Sequence, residues 1–117
     1  MTAVVFATES SVLAGIRQAA NLVPGLVLWR CSQGGLVKRG SHTYRAGLSV
    51  NGASDLIGIL DGKFIAVEVK RGRGGRTQPE QERFLDLVRR MGGFACVCRS
   101  VEEFMAAMER ARRGENQ

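Results

Sequence analysis

The dipeptide Asp61-Gly62, set between two apolar runs, constrains this chain more than any other feature. Residues 55–60 (DLIGIL) and 64–70 (FIAVEVK) both read as strands, rich in β-branched and aromatic side chains. Asp-Gly between such runs predicts a two-residue hairpin turn, because both central residues of that turn need positive φ. The turn sets the register. Leu60 pairs with Lys63, and counting outward from that pair places Asp55 directly opposite Glu68. Directly opposed residues share a face, with Cβ atoms about 4.5–5.5 Å apart. The pairs between are apolar or small: Leu56 with Val67, Ile57 with Ala66, Gly58 with Ile65. Two acids therefore close an apolar hairpin at the end far from its turn, where they repel each other. A divalent cation offsets that repulsion directly. Hard cations such as Mg²⁺ take oxygen ligands, and one or two carboxylates with water and a substrate phosphate suffice.

Lys70 lies two residues beyond Glu68 and shares its face. An ammonium group there can orient an attacking water or neutralise charge on a phosphoryl group. Val69 points the other way, but its carbonyl is a further candidate metal ligand. The competing explanation is a surface hairpin with Glu68 and Lys70 as ordinary solvated charges, since E-x-K alone is common. An Asp opposite a Glu, with a Lys in phase on an apolar strand, is harder to dismiss. Two helical residues add to the group. Glu9 is in phase with Leu13, Ile16 and Ala20, which leans it toward the core side as a metal ligand, direct or through water. Its alternative role is an acid in a first helical turn, facing the macrodipole. Gln81 is in phase with Leu85 and Val88, and a polar residue on a packed face needs partners. It could hold Lys70 or a phosphate oxygen, or sit on a partly exposed helix edge.

The rest of the chain supplies the frame. Thr8 is the expected N-cap of a first helix carrying Val12, Ile16, Ala20 and Val23, ended by Pro24-Gly25. Residues 26–31 (LVLWRC) read as a strand, with Trp29 in the core. Residues 36–54 are basic and less regular. RGRGGR at 71–76 has no apolar residue and predicts a mobile loop. Thr77 and Glu80 have capping-box spacing for a second helix running to about residue 91, with Pro79 in its first turn. Gly92-Gly93 breaks it, residues 94–99 form a strand, and Ser100 caps a last helix to about residue 113. The order α-β-(β)-β-β-α-β-α indicates one α/β domain over residues 1–117. It has a mixed sheet with helices on its faces and a right-handed parallel crossover from residue 64 to 99.

A net charge of +6 favours polyanionic partners, because Lys and Arg that neutralise phosphates release counterions. The three cysteines, Cys31, Cys96 and Cys98, form no C-x-x-C, and His42 is the sole histidine. This argues against a zinc site and a disulfide framework. Cys96 and Cys98 share one strand face as buried thiols. No charged leader and no membrane-length apolar run is present, so the expectation is a cytoplasmic protein with no membrane partner.

The run Ser54-Asp55, Glu68-Val69-Lys70 and Gln81 resembles the VRR-NUC domain, a branch of the PD-(D/E)xK nuclease superfamily. The resemblance extends over residues 52–58 (GASDLIG), VEVKRG, the Gly/Arg-rich loop, PEQ, and Gly92-Gly93 before a strand ending in RSVE. It covers nearly the whole chain, from Glu9 to the last helix. It implies a restriction-endonuclease-like core and a metal-dependent phosphodiesterase acting on DNA. Stand-alone members of this length are typical of bacteriophages, which implies the host-cell cytoplasm. They resemble homodimeric, structure-specific endonucleases that cut branched DNA such as four-way junctions. By this resemblance Asp55 and Glu68 are ligands of Mg²⁺ or Mn²⁺, Lys70 is the catalytic lysine, Gln81 the helix glutamine of the motif, and Glu9 the acid of the first helix. No small-molecule cofactor is implied. Ser54 stands in place of the superfamily proline, and Gln78 where a small capping residue is usual.

Arg71, Arg73 and Arg76 beside the site are candidate phosphate contacts, as are Lys38, Arg39 and Arg45 on the preceding basic segment. Three rival functions remain open at this point. One is a non-catalytic basic DNA-binding module. Another is a nuclease of the same superfamily with a different nucleic-acid substrate, either sequence-reading or RNA-directed. The third is a basic scaffold protein in which the charged hairpin is accidental.

Overall fold

The structure, a computed structural model, describes residues 7–31, 36–40, 42–45 and 54–117. Helix α1 (Glu9–Ala20) starts where the sequence places its cap, with Thr8 Oγ1 accepting from Ser11 N at 3.1 Å. Its buried stripe is Val12, Ile16 and Ala20. The chain turns at Pro24-Gly25 into β1 (Leu26–Arg30). The two short strands β2 (Leu36–Arg39) and β3 (His42–Arg45) then pair with each other and, among the described residues, with no other strand, as an antiparallel ribbon. The sequence reading allowed one irregular strand here; the ribbon uses two, joined at Gly40 with φ 59°.

Strands β4 (Leu56–Leu60) and β5 (Lys63–Val69) form the expected hairpin in the expected register, Leu60 opposite Lys63 and Leu56 opposite Val67. Asp61 at φ 48° and Gly62 at φ 86° supply the two left-handed residues of the turn. Gly58 has a different reason to be glycine. A Cβ there would lie 2.0 Å from the Val27 carbonyl oxygen, so the close approach of β1 to β4 excludes any side chain.

Helix α2 (Pro79–Arg90) carries the chain across to β6 (Phe94–Cys98), which runs parallel to β5, and α3 (Val101–Arg112) follows with Ser100 as its cap. The main sheet has the order β1-β4-β5-β6. Helices α1 and α3 cover one face, where Ile16, Leu56, Ile65, Val67, Val69, Phe94, Phe104 and Met108 form the larger core. Helix α2 covers part of the other, with Phe84, Leu85 and Val88 over Ile57, Ala66 and Ala95. Arg89 ties that helix to β6 by donating to the Ala95 carbonyl from Nε at 3.2 Å and from Nη2 at 2.9 Å.

Because α2 lies over β5 and β6, the β1 end of its face has no helix above it among the described residues. Trp29 is therefore 44% exposed, not the core residue its apolar neighbours suggested. Apolar composition shows that a strand has a buried face; it does not show which of the two faces a helix will cover. Among the described residues no helix is long and apolar enough to cross a membrane.

Candidate active site

The ladder between β4 and β5 ends one step short of the acids. Asp55 precedes β4, and two hydrogen bonds hold it. Its carbonyl accepts from Cys31 N at 2.8 Å, and its carboxylate Oδ2 accepts from Val69 N, also at 2.8 Å. Glu68 stands on the adjacent strand, on the α2 face, with 1% of its surface exposed. Lys70 follows in the same phase, because its N–H still donates to the Cys98 carbonyl at 3.0 Å and extends the parallel ladder. Its ammonium lies 3.4 Å from Glu68 Oε1, and the residue is 8% exposed. Val69 turns its side chain into the opposite core.

Gln81 joins these groups. Its Nε2 donates to Glu68 Oε1 at 2.9 Å, and its Oε1 accepts from Lys70 Nζ at 3.2 Å. The same oxygen accepts from the backbone N–H of Gln78 at 2.8 Å. Helix α2 therefore begins one residue later than the Thr77–Glu80 spacing predicts. Gln78 is the N-cap, Gln81 occupies the third helical position, and Thr77 donates instead to Glu82 Oε1 at 2.8 Å. The capping contact and the lysine contact share one amide oxygen, which locks the side chain at the mouth of the site.

The electrostatics of Glu68 are unfavourable in the ionised form. Burial first, then the charge of Asp55 and a hydrogen bond between the two acids, push its carboxyl up to about 8. Lys70 offsets only part of this. Glu68 Oε2 is buried and, among the described residues, no N–H or hydroxyl donates to it; the Ser54 hydroxyl is also buried without a hydrogen-bond partner among them. An unpartnered carboxylate oxygen beside a second acid is the donor set of a hard cation: anionic oxygens, partly desolvated, with room in the coordination shell for water and phosphate. The residues present therefore fit a divalent ion held by two carboxylates. Among the described residues there is no larger group, since no three His, Cys, Asp or Glu side chains cluster. The thiol of Cys31 is also raised, by burial first and by Asp55 second.

Glu9 is exposed at the head of α1. The expectation that it leans toward the core is corrected: it is in phase with the buried stripe Val12, Ile16 and Ala20, but as the first residue of the helix it lies a turn ahead of where that stripe begins and stays exposed. It does lie at the site's end of the sheet, because the Ala7 carbonyl accepts from Gly72 N at 2.8 Å. Arg71, Arg73 and Arg76 are exposed on the loop that follows Lys70. Arg39 and Lys38 fall on β2 and Arg45 on β3, in backbone only; their side chains lie outside the described residues.

The loop at 71–76 differs from the mobile segment its composition predicts. Arg99, at the end of β6, donates from Nη1 to the carbonyls of Arg71, at 3.0 Å, and of Gly74, and from Nη2 to that of Gly75 at 2.7 Å. Sequence reasoning missed Arg99. The available signal was its position: it leaves β6 beside the point where β5 delivers Lys70.

The model of the family described as the VRR-NUC domain matches residues 3–102 of the chain. No curated protein and no solved structure matches it.

Proposed function

The chain belongs to the VRR-NUC domain family, a family of nucleases, and on that premise we propose that it is a metal-dependent endonuclease hydrolysing DNA phosphodiester bonds at the Asp55–Glu68–Lys70 group. The observation that carries this reading is the buried Glu68 oxygen with no donor, set beside Asp55 and a lysine that Gln81 holds in place. Such an arrangement costs stability and has no structural benefit of its own, which is the pattern of a site built for chemistry.

Asp55 and Glu68 would hold Mg²⁺ or Mn²⁺, with the Val69 carbonyl as a further oxygen and Glu9 acting through water. When bound, the ion supplies Lewis acidity toward the phosphoryl oxygen and lowers the pKa of the attacking water. The chain's own residues do the rest. Lys70 orients the water or neutralises the negative charge that builds on the phosphoryl group in the transition state. Gln81 sets the position of Lys70 and of Glu68 Oε1, so that neither pays a rotamer cost when substrate arrives. Arg71, Arg73 and Arg76 neutralise flanking phosphates, joined by Lys38, Arg39 and Arg45.

Branched DNA, with the four-way junction as its type, and a homodimer complete the proposal. The apolar surface supports the second. Val27, Trp29, Ile59 and Phe64 share the face beside α2, and Leu87 and Met91 extend it, at 65, 44, 45, 40, 45 and 79% exposure. A contiguous apolar face of this size marks an association surface. A symmetric pair presents two sites to two duplex arms.

The test is cleavage of a four-way junction, a linear duplex and an RNA duplex with Mg²⁺, each with a chelator control. Chelator-sensitive nicking of the junction ahead of the other two is the expected result. Binding without cleavage would favour the non-catalytic module, and faster cutting of RNA would reassign the substrate.

A further inference from the structure

We propose that Arg99 is a positioning residue that shapes the 71–76 loop into a preformed phosphate-facing wall beside Lys70. The inference rests on the nuclease reading above for its substrate, but not for the contact itself.

Three carbonyl oxygens of one glycine-rich loop, from Arg71, Gly74 and Gly75, converge on a single guanidinium. Two of them belong to successive residues at φ +75° and +64°, a conformation that L side chains rarely adopt. The glycines are therefore what allows the carbonyls to turn inward. Gly72 is constrained at the other side of the loop, where a Cβ would come within 3.1 Å of Ala7 N. The loop passes next to the candidate lysine: a Cβ at Gly75 would lie 3.9 Å from Lys70 Cδ. The Arg71 side chain folds over Gly74, whose Cβ would meet its Nη2 at 2.9 Å. Arg99 itself is anchored from behind, since its backbone N–H donates to Glu103 Oε2 at 3.0 Å in the first turn of α3.

A guanidinium has five donors in a planar fork, and here most of its reach is used on the protein's own backbone. Arg99 is consequently poorly disposed to bind DNA phosphate directly. Its effect is indirect. A six-residue segment with three glycines loses a large conformational entropy when it orders, and that loss would otherwise fall on DNA binding. Tying the loop from β6 transfers the loss to folding. Lysine cannot substitute, because its ammonium is a point charge on a flexible stem with no fork to span three carbonyls.

Two measurements test this on Arg99→Lys and Arg99→Ala. The first is limited trypsin digestion without DNA, scored for cuts after Arg71, Arg73 and Arg76. Both variants should be cut there about tenfold faster than wild type, since cleavage follows the population of the open loop. The second is junction cleavage. KM should rise about tenfold in both variants while kcat stays within about twofold, the signature of lost binding preorganisation. Gly74→Val, which disturbs the loop and leaves Arg99 in place, should give the same KM rise, and it carries the test if the Arg99 variants fold poorly. Arg99→Lys matching wild type in both assays overturns the proposal, as does a fall in kcat at constant KM. A wild-type chain with no affinity for DNA would sink the nuclease reading, whereas unchanged proteolysis in Arg99→Lys would sink this inference alone.

Discussion

At the turn end of the β4–β5 hairpin, Asp61 lies on the surface and its Oδ2 meets Arg112 Nη1 at 2.7 Å. At the open end, Glu68 is 1% exposed and one of its oxygens has no donor among the described residues. The same two strands thus carry a solvated, satisfied acid at one end and a desolvated, unsatisfied one at the other. Exposed ion pairs contribute little to stability, and the turn would form without theirs. A buried carboxylate is expensive, and it persists only because the surrounding sheet and helix over-determine its position. The turn end makes the hairpin fold; the open end uses the stability of that fold to hold groups that solvent would otherwise relax.

That contrast breaks most severely if the open end is not chemical. Lys70→Ala and Asp55→Ala should each lower single-turnover cleavage by roughly 10³-fold or more, the scale of losing transition-state charge stabilisation. Their circular dichroism should stay that of the wild type. Activity within tenfold of wild type would remove the catalytic half of the comparison.

Glu68→Gln sharpens it, because activity and stability should move in opposite directions. The Glu68 carboxyl stands at about 8 in the folded chain against 4.5 unfolded. The folded state therefore binds this proton more tightly. The stability that proton contributes is fully present below 4.5 and is lost as pH rises through about 8. Without divalent ion, the wild-type Tm should fall across that window. The variant's should be flatter, and higher at pH 8 by about 5 °C or more. Added Mg²⁺ at pH 8 should restore the wild-type Tm and leave that of the variant unchanged, while the variant no longer cleaves. A variant that melts lower than wild type at pH 8 would contradict the burial argument.

At the turn end the effects are smaller and confined to folding. Gly62→Val places a branched side chain at φ 86° and should cost about 1–2 kcal/mol in urea denaturation, with cleavage per folded molecule unchanged. Arg112→Ala removes the pair with Asp61, together with a contact to the Pro24 carbonyl, and should cost about 1 kcal/mol or less. A loss of catalysis in either variant would mean that the two ends are coupled.

Much of this was legible in the residues. Asp-Gly led to the turn, and the turn led to the register, whose last pair, Leu56 with Val67, leaves Asp55 and Glu68 as the next residue along each strand. The period of α2 directed Gln81 inward with Leu85 and Val88, and Gln81 does meet Lys70. Cys96 and Cys98 do share a face, with sulfurs 3.6 Å apart. Other features were not legible. Trp29 looked like core because an apolar strand does not disclose where the helices will stop. Glu9 is in phase with the buried stripe of α1, but a helical period does not disclose that burial begins only at Val12, one turn beyond it. RGRGGR read as mobile because composition contains no information about a guanidinium arriving from 25 or so residues downstream in the chain.

The sequence by itself determined the hairpin, its register and the placing of two acids and a lysine at its open end. Each of those follows from geometry between near neighbours, where a turn type and a two-residue repeat leave no freedom. Tertiary structure alone decided that Glu68 loses its water, that one amide oxygen serves both a helix cap and Lys70, and that Arg99 reaches back to hold the neighbouring loop. These depend on which distant segment packs over which strand, and desolvation is a property of the whole assembly of elements, not of any one of them.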